Sequence, residues 1–150
     1  MNTKILDCTI RDGGYVNNWN FTKEQVRKLY ETLLKSNIDY MEIGYRNSLE
    51  IYDEENRKSQ WIHTTDELIN ETIGDIYNDN TLISLMVDYG KFDINDFSKR
   101  DKTLISLVRV TFHKKDFKEA LIQIQNLKEL GYNVSANIMG IMTYDKQERL

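Results

Sequence analysis

The chain has 150 residues, a formal net charge of −4, and a composition that is 40% hydrophobic and 29% charged. This composition is typical of a single globular domain with a real core. The mild acidity and the lack of basic runs interleaved with aromatics argue against nucleic-acid binding. No apolar stretch approaches the ~20 residues of a membrane span. Without a basic-then-apolar signal pattern, we expect a cytoplasmic protein.

The first element is an apolar segment over residues 4–10, which predicts a strand. Arg11, Asp12 and the glycines Gly13 and Gly14 follow directly. We expect the strand to place the charged side chains of Arg11 and Asp12 at the entrance of a binding site, with the glycines forming a flexible turn. The alternative is an Arg–Asp surface pair before an ordinary turn.

A helix is predicted to begin after Thr22. The Thr22 side chain can cap the amide of Gln25, Gln25 can reach back, and Phe21 can pack onto Val26. An apolar stripe at helical spacing follows, and residues 38–43 return to a strand that ends at a glycine. This strand–helix–strand unit has the size of a parallel, right-handed connection.

The rest of the chain repeats this alternation after a polar segment, residues 46–63, that gives no clear assignment. Thr64 to Glu67 predicts a second capping box, which opens a helix with an apolar stripe. The stripe comprises Leu68, Ile69, Ile73 and Ile76. The next predicted elements are a strand over 81–87, a helical turn over 94–97 and a strand over 104–111. A helix with apolar positions from Phe117 to Leu130 follows, and Gly131 closes it. The last predicted elements are a strand over 133–139 and a helix from Thr143 onward.

Strands that alternate with amphipathic helices predict an α/β fold with a parallel sheet. The five strand–helix units suit the N-terminal part of a (β/α)₈ TIM barrel, which usually takes ~250 residues. We therefore expect residues 1–150 to be a single domain, the N-terminal part of a longer TIM-barrel catalytic domain. The alternative is a self-contained, five-stranded doubly wound parallel sheet.

Three segments carry a family resemblance. Residues 7–13, Asp-Cys-Thr-Ile-Arg-Asp-Gly, resemble the signature Asp-x-Thr-Leu-Arg-Asp-Gly that opens the barrels of the DRE-TIM metallolyase superfamily. That group includes HMG-CoA lyase, homocitrate and isopropylmalate synthases, and 4-hydroxy-2-oxovalerate aldolase. Residues 41–45 resemble its second strand and residues 134–139 its fifth. The run Gly-Tyr-Val-Asn-Asn-Trp at 14–19 is closer to the aldolase-like branch.

Polar side chains, such as Asp88 after the third predicted strand, stand at the carboxyl end of every predicted strand, where parallel α/β folds bind ligands. The resemblance implies that Arg11 stabilises an enolate and that Asp12 binds a divalent metal, Mg²⁺ or Mn²⁺. Glu42 would orient Arg11 or substrate; a buried ion-pair partner for Arg11 is its alternative role. The remaining candidates, assigned to substrate binding, are Tyr45, Arg46, Arg109 and Asn137.

The chain departs from the family pattern in two respects. The family completes its metal site with a His-x-His pair on a late strand, whereas His63 and His113 are far apart here. We therefore expect the remaining histidine ligands beyond residue 150. Related aldolases have a histidine base just after the Arg-Asp-Gly motif, and Tyr15 occupies that place. Tyr15 is our candidate for proton transfer, although an ordinary tyrosine pKa near ~10 makes a poor base.

These observations predict a metal-dependent aldolase or lyase that makes or breaks a carbon–carbon bond through an enolate. Its substrate would be a 2-oxo acid or an acyl-CoA-type molecule. One alternative is a non-catalytic assembly module, because a partial barrel leaves strand edges that need cover from a second polypeptide or from a homo-oligomer. The other alternative is a small ligand-binding α/β domain.

Overall fold

The computed structural model describes residues 3–51 and 59–145. Five strands form one sheet in the order β1-β2-β3-β4-β5, and every neighbouring pair is parallel. The strands are β1 Leu6–Asp7, β2 Tyr40–Tyr45, β3 Leu82–Asp88, β4 Ile105–Phe112 and β5 Asn133–Ile138, and the helices are α1 Thr9–Asn17, α2 Lys23–Lys35, α3 Asp66–Ile73 and α4 Phe117–Glu129. None of these helices is long and apolar enough to cross a membrane.

The strand order decides between the two predicted folds. A doubly wound sheet reverses its order at a switch point, whereas these strands follow one another without reversal. The sheet is curled into part of a barrel. The prediction of a partial (β/α) barrel is confirmed, and the doubly wound alternative is wrong.

The first strand is much shorter than predicted. It ends at Asp7, whose carboxylate accepts hydrogen bonds from the backbone N–H and the hydroxyl of Thr9, at 3.0 and 2.9 Å. This turn starts α1 at Thr9, so Arg11 and Asp12 lie in a helix and not at a strand tip. The expected flexible turn at Gly13 and Gly14 is wrong for the same reason.

Helices α2 and α3 each begin directly after a threonine that caps the first turn. Thr22 begins α2 with the predicted reciprocal capping box. In α3 the cap is Thr65, which accepts from the amide of Leu68. This cap is one-sided because Leu68 occupies the third helical position and has no polar group to return the bond. The predicted box from Thr64 to Glu67 is therefore wrong in register, although a helix does begin there.

The core lies between the sheet and the helices that cover one of its faces. Met41, Ile43, Val108 and Val110 of the strands are fully buried, which matches the near-continuous apolar runs in the sequence. The α4 stripe is buried less than predicted, because Phe117 and Leu121 each remain 43% exposed. A 3₁₀ turn over Ile141–Thr143 stands where the last helix was expected to begin, and most of that helix lies outside the described residues.

Trp19 fixes the end of α1. Its ring is 2% exposed, and its Nε1–H donates to the carbonyl oxygen of Arg11 at 2.8 Å. Asn18 and Trp19 both adopt left-handed backbone angles, with φ of 55° and 54°, and so turn the chain back. The ring occupies the space left by Gly14, where an added Cβ would lie 2.1 Å from the ring.

This contact predicts a sharp difference between two adjacent glycines. In Gly14→Ala the methyl group collides with the Trp19 ring, so we expect a loss of about 3 kcal/mol in the free energy of unfolding. In the control Gly13→Ala the methyl would lie 3.7 Å from Phe21, an ordinary contact. There we expect a gain of up to ~1 kcal/mol from higher helix propensity. Urea denaturation measures both, and equal stability of the two variants would contradict this packing.

Candidate active site

A buried carboxylate between two guanidinium groups lies at the centre of the candidate site. Nε of Arg11 donates to Oε1 of Glu42 at 2.6 Å. Nη1 of Arg109 donates to Oε1 and Oε2 of Glu42 at 3.0 and 2.9 Å. The Glu42 side chain is 0% exposed, and those of Arg11 and Arg109 are 12% and 20% exposed. Helix α1 and strands β2 and β4 thus meet at one carboxylate.

The cluster keeps Arg11 charged. Burial alone would lower the pKa of Arg11, but the hydrogen bond and the charge of Glu42 outweigh it and raise that pKa. Among the described residues, Nη2 of Arg11 and Nε of Arg109 donate no hydrogen bond. Two guanidinium groups share one buried carboxylate, and Arg11 also pairs with the exposed Asp12, so the unused N–H donors are what remain for an anionic ligand.

A second contact joins α1 to β2 one helical turn further on. Arg11 and Tyr15 are four residues apart and therefore share a helix face. The Tyr15 and Tyr45 hydroxyls are 2.9 Å apart, and both rings pack edge-on against Trp19, with centroids 4.6 and 5.9 Å away. Burial, followed by the hydrogen bond to Tyr15, raises the pKa of Tyr45, so its phenol is neutral at physiological pH.

Arg109 connects the cluster to the last strand. Its Nη2 donates to Oδ1 of Asn137 at 3.4 Å, and its Nη1 lies 3.8 Å from Sγ of Cys8. Burial and the charge of Glu42 raise the pKa of the Cys8 thiol, which keeps it protonated and unreactive. Asn137 therefore joins the site through Arg109.

Arg46 lies in a different network from the other candidates. Its Nε donates to the carbonyl of Thr64 at 2.8 Å, its Nη2 donates to Asp66 at 2.7 Å, and its guanidinium stacks 4.9 Å from the Phe97 ring centroid. These contacts tie the end of β2 to the start of α3. The substrate-binding role expected of Arg46 stays a prediction, and these contacts hold its guanidinium in a network separate from the Glu42 cluster.

Asp12 is the one predicted metal ligand within the chain. Its side chain is 61% exposed and pairs with the Arg11 guanidinium. In the ranges 3–51 and 59–145, no three His, Cys, Asp or Glu side chains converge as metal ligands. His63 instead contacts the Asn47 carbonyl at 2.8 Å. These residues do not complete a coordination shell, so the metal-site prediction has no further support from the geometry.

One polar cluster was only partly anticipated by sequence reasoning. Asp88, at the end of β3, accepts from the Thr111 hydroxyl at 2.6 Å and pairs with Lys91 at 3.1 Å. Its place at a strand end marked Asp88 as a candidate. Thr111 carried no such signal, because only the β3–β4 register puts it beside Asp88. The cluster lies next to the tyrosine pair.

The fold is that of an aldolase-like partial barrel. No protein-family model matches this chain, and no curated protein matches it. Among solved structures, it is similar to the N-terminal domain of a putative aldolase from Bacteroides vulgatus, with a TM-score of 0.66 and 25% sequence identity. The match covers 91% of this chain and 44% of that chain. The chain thus spans less than half the length of this neighbour.

Removing the charge of the shared Glu42 carboxylate should lower the stability of the protein. Glu42→Gln removes the buried counter-charge of Arg109 and leaves Arg11 with only the exposed Asp12, so we expect a loss of about 3–5 kcal/mol in the free energy of unfolding. Glu71→Gln is the matched control, because Glu71 forms an exposed pair with Lys23, and exposed pairs contribute little. Thermal and urea unfolding measure both variants. A Glu42→Gln protein as stable as the Glu71→Gln protein would show that Glu42 does not hold the cluster together.

Proposed function

We propose that the complete protein is an aldolase-like carbon–carbon lyase that works through an enolate of a 2-oxo acid or an acyl-CoA-type substrate. The observation that carries this proposal is the buried Glu42 carboxylate of β2, shared by the guanidinium groups of Arg11 on α1 and Arg109 on β4. The similarity to an aldolase N-terminal domain supports the same reaction class. Positioned guanidinium donors can stabilise the negative charge that develops on the oxygen of an enolate.

The proposed roles follow from the free donors. In cleavage of a 4-hydroxy-2-oxo acid, the hydroxyl proton leaves for a base, the C3–C4 bond breaks, and its electron pair becomes the enolate of pyruvate. Nη2 of Arg11 would stabilise the developing oxyanion, since a guanidinium stays charged at any working pH. Glu42 orients Arg11, and Tyr15 is the proposed proton-transfer residue. Arg109 and Asn137 would bind the substrate carboxylate, and Tyr45 would line the pocket.

Two further parts of the proposal concern the whole protein. We propose that residues 1–150 are the N-terminal part of a longer barrel, with further strands completing the mouth of the site. Divalent-metal assistance by Mg²⁺ or Mn²⁺ remains a prediction attached to Asp12, which would need ligands from outside the described residues. The roles assigned above use this chain's own side chains.

The second candidate function is an assembly module. Several large apolar side chains on α4 and after β5 are exposed, namely Phe117, Leu121, Ile122, Ile141 and Met142. Such a surface suits contact with a further polypeptide. The two candidates differ in turnover, because a module without chemistry releases no product from any substrate of the proposed class.

The first activity test is Arg11→Lys. Lysine keeps the charge but loses the planar fork that can bind Glu42 and an oxyanion together. We expect kcat to fall about 100-fold or more, measured as pyruvate release from 4-hydroxy-2-oxo acids by the full-length protein. Arg27→Lys is the control, because Arg27 pairs with the exposed Asp75 away from the site. Equal turnover of Arg11→Lys and wild type would remove Arg11 from the chemistry.

The second test is Asp12→Asn. The side chain is exposed, so we expect a melting temperature close to that of wild type. If Asp12 binds a metal, the variant loses the increase in turnover that Mn²⁺ gives the wild-type enzyme, and chelation of the metal reduces the wild type to the level of the variant. An undiminished Mn²⁺ response in Asp12→Asn would exclude Asp12 as a ligand.

A further inference from the structure

A small cavity lies behind the tyrosine pair. It has a volume of about 20 Å³, and a site needs about 10–15 Å³ to hold one water molecule. We call it the Tyr45 cavity. Its lining residues are Tyr15, Trp19, Tyr45, Asn47, Ile62, Asp88 and Lys91. A cavity of this size with several polar groups in its wall suits a single hydrogen-bonded water.

Asn47 gives a second, independent indication. The residue is 6% exposed, and its Oδ1 atom is buried without a hydrogen-bond donor from the described residues. An unsatisfied buried acceptor costs about 1–3 kcal/mol, so such atoms nearly always bind protein or ordered water. Asn47 is one of the residues that line the Tyr45 cavity, so a water held there would be a donor within reach of this side chain.

Asp88 forms another part of the wall and is held in place. The Thr111 hydroxyl fixes one carboxylate oxygen at 2.6 Å, and Lys91 lies 3.1 Å from the other. The negative charge of Asp88 contributes to the raised pKa of Tyr45, after burial and the Tyr15 hydroxyl, which is consistent with the two groups being close neighbours. Asp88 is thus an ionisable group close to the Tyr15–Tyr45 hydroxyl pair.

We propose that the Tyr45 cavity holds one water molecule that links the Tyr15–Tyr45 hydroxyl pair to Asp88 as a proton relay. The water donates to Oδ1 of Asn47 and to the Asp88 carboxylate, and accepts from the Tyr45 hydroxyl. Tyr15 is the exposed end of the relay and shares a helix face with Arg11. The relay gives this tyrosine a proton acceptor that a lone phenol lacks.

The chemical step rests on the proposed function, and its protons balance. The substrate hydroxyl gives its proton to the Tyr15 oxygen as the Tyr15 proton moves to Tyr45. The Tyr45 proton moves to the water, and a water proton moves to the Asp88 carboxylate. Both phenols and the water end as they began, Asp88 becomes neutral, and the C–C bond pair forms the enolate beside Arg11. Protonation of the enolate from solvent and release of the Asp88 proton complete the cycle.

The water site is tested without any activity. A crystal structure of the full-length protein at a resolution that shows ordered water should have one water within hydrogen-bond distance of Asn47 Oδ1, the Tyr45 hydroxyl and the Asp88 carboxylate. In Asp88→Asn, Thr111 can still donate to the amide oxygen while the ion pair with Lys91 is lost, so we expect the water to stay on Asn47 Oδ1 and the Tyr45 hydroxyl. An empty cavity, or a water that does not reach Asp88, overturns the relay.

The proton transfer is tested by kinetics on the wild type and three variants. Asp88→Asn keeps the shape of the side chain but cannot take a proton, and Tyr45→Phe breaks the chain of hydroxyls. For both we expect kcat for cleavage of a 4-hydroxy-2-oxo acid to fall about 100-fold or more. The exposed Asp101 gives the control Asp101→Asn, which should match wild type.

The solvent isotope effect separates a relay from a structural role. In mixtures of H₂O and D₂O, the wild-type rate should depend on deuterium content along a curve, because several protons move together, and Tyr45→Phe should lose that curvature. A wild type that cleaves these substrates while Asp88→Asn retains its full rate overturns the relay and leaves the proposed function intact. A wild type that cleaves none of them counts against the proposed function, and the water site is then decided by the crystal structure.

Discussion

The candidate site depends on one buried carboxylate. Glu42 has no contact with solvent and accepts from Arg11 on α1 and from Arg109 on β4. Each guanidinium alone would be costly to bury, and the shared carboxylate offsets that cost for both. Because the two arginines come from elements almost a hundred residues apart in sequence, this ion triad also joins the start of the chain to the middle of the sheet.

Two contacts with β2 hold α1 in place, although its sequence is poorly suited to a helix. Arg11 reaches Glu42, and Tyr15 reaches Tyr45 one turn later. Two adjacent glycines each cost a helix roughly 0.5–1 kcal/mol relative to alanine, and α1 lacks a side-chain N-cap bond. Tertiary contacts therefore maintain this helix. Trp19 adds to them by filling the space that Gly14 leaves empty.

The uncovered face of the sheet is polar, whereas the covered face is apolar. Arg109 and Asn137 project from β4 and β5 beside Glu42 and retain partial contact with solvent. The neighbouring Val108 and Val110, which alternate with Arg109, are fully buried. Along β4, the side chains on one face therefore pack in the core, and Arg109 on the other face belongs to the candidate site. This alternation allows the same five strands to supply both the core and a site that can bind an anion.

The sequence alone determined the α/β class, four of the five strands to within two residues, and the Thr22 cap. These features could be predicted because hydrophobic periodicity and capping act over a few residues. The sequence did not reveal that the Arg-Asp-Gly segment is helical, that Arg46 turns toward Asp66, or that Thr111 lies beside Asp88. Those features depend on contacts between residues that are far apart in sequence. Such residues come together only in the folded sheet, where the strand register determines which side chains are neighbours.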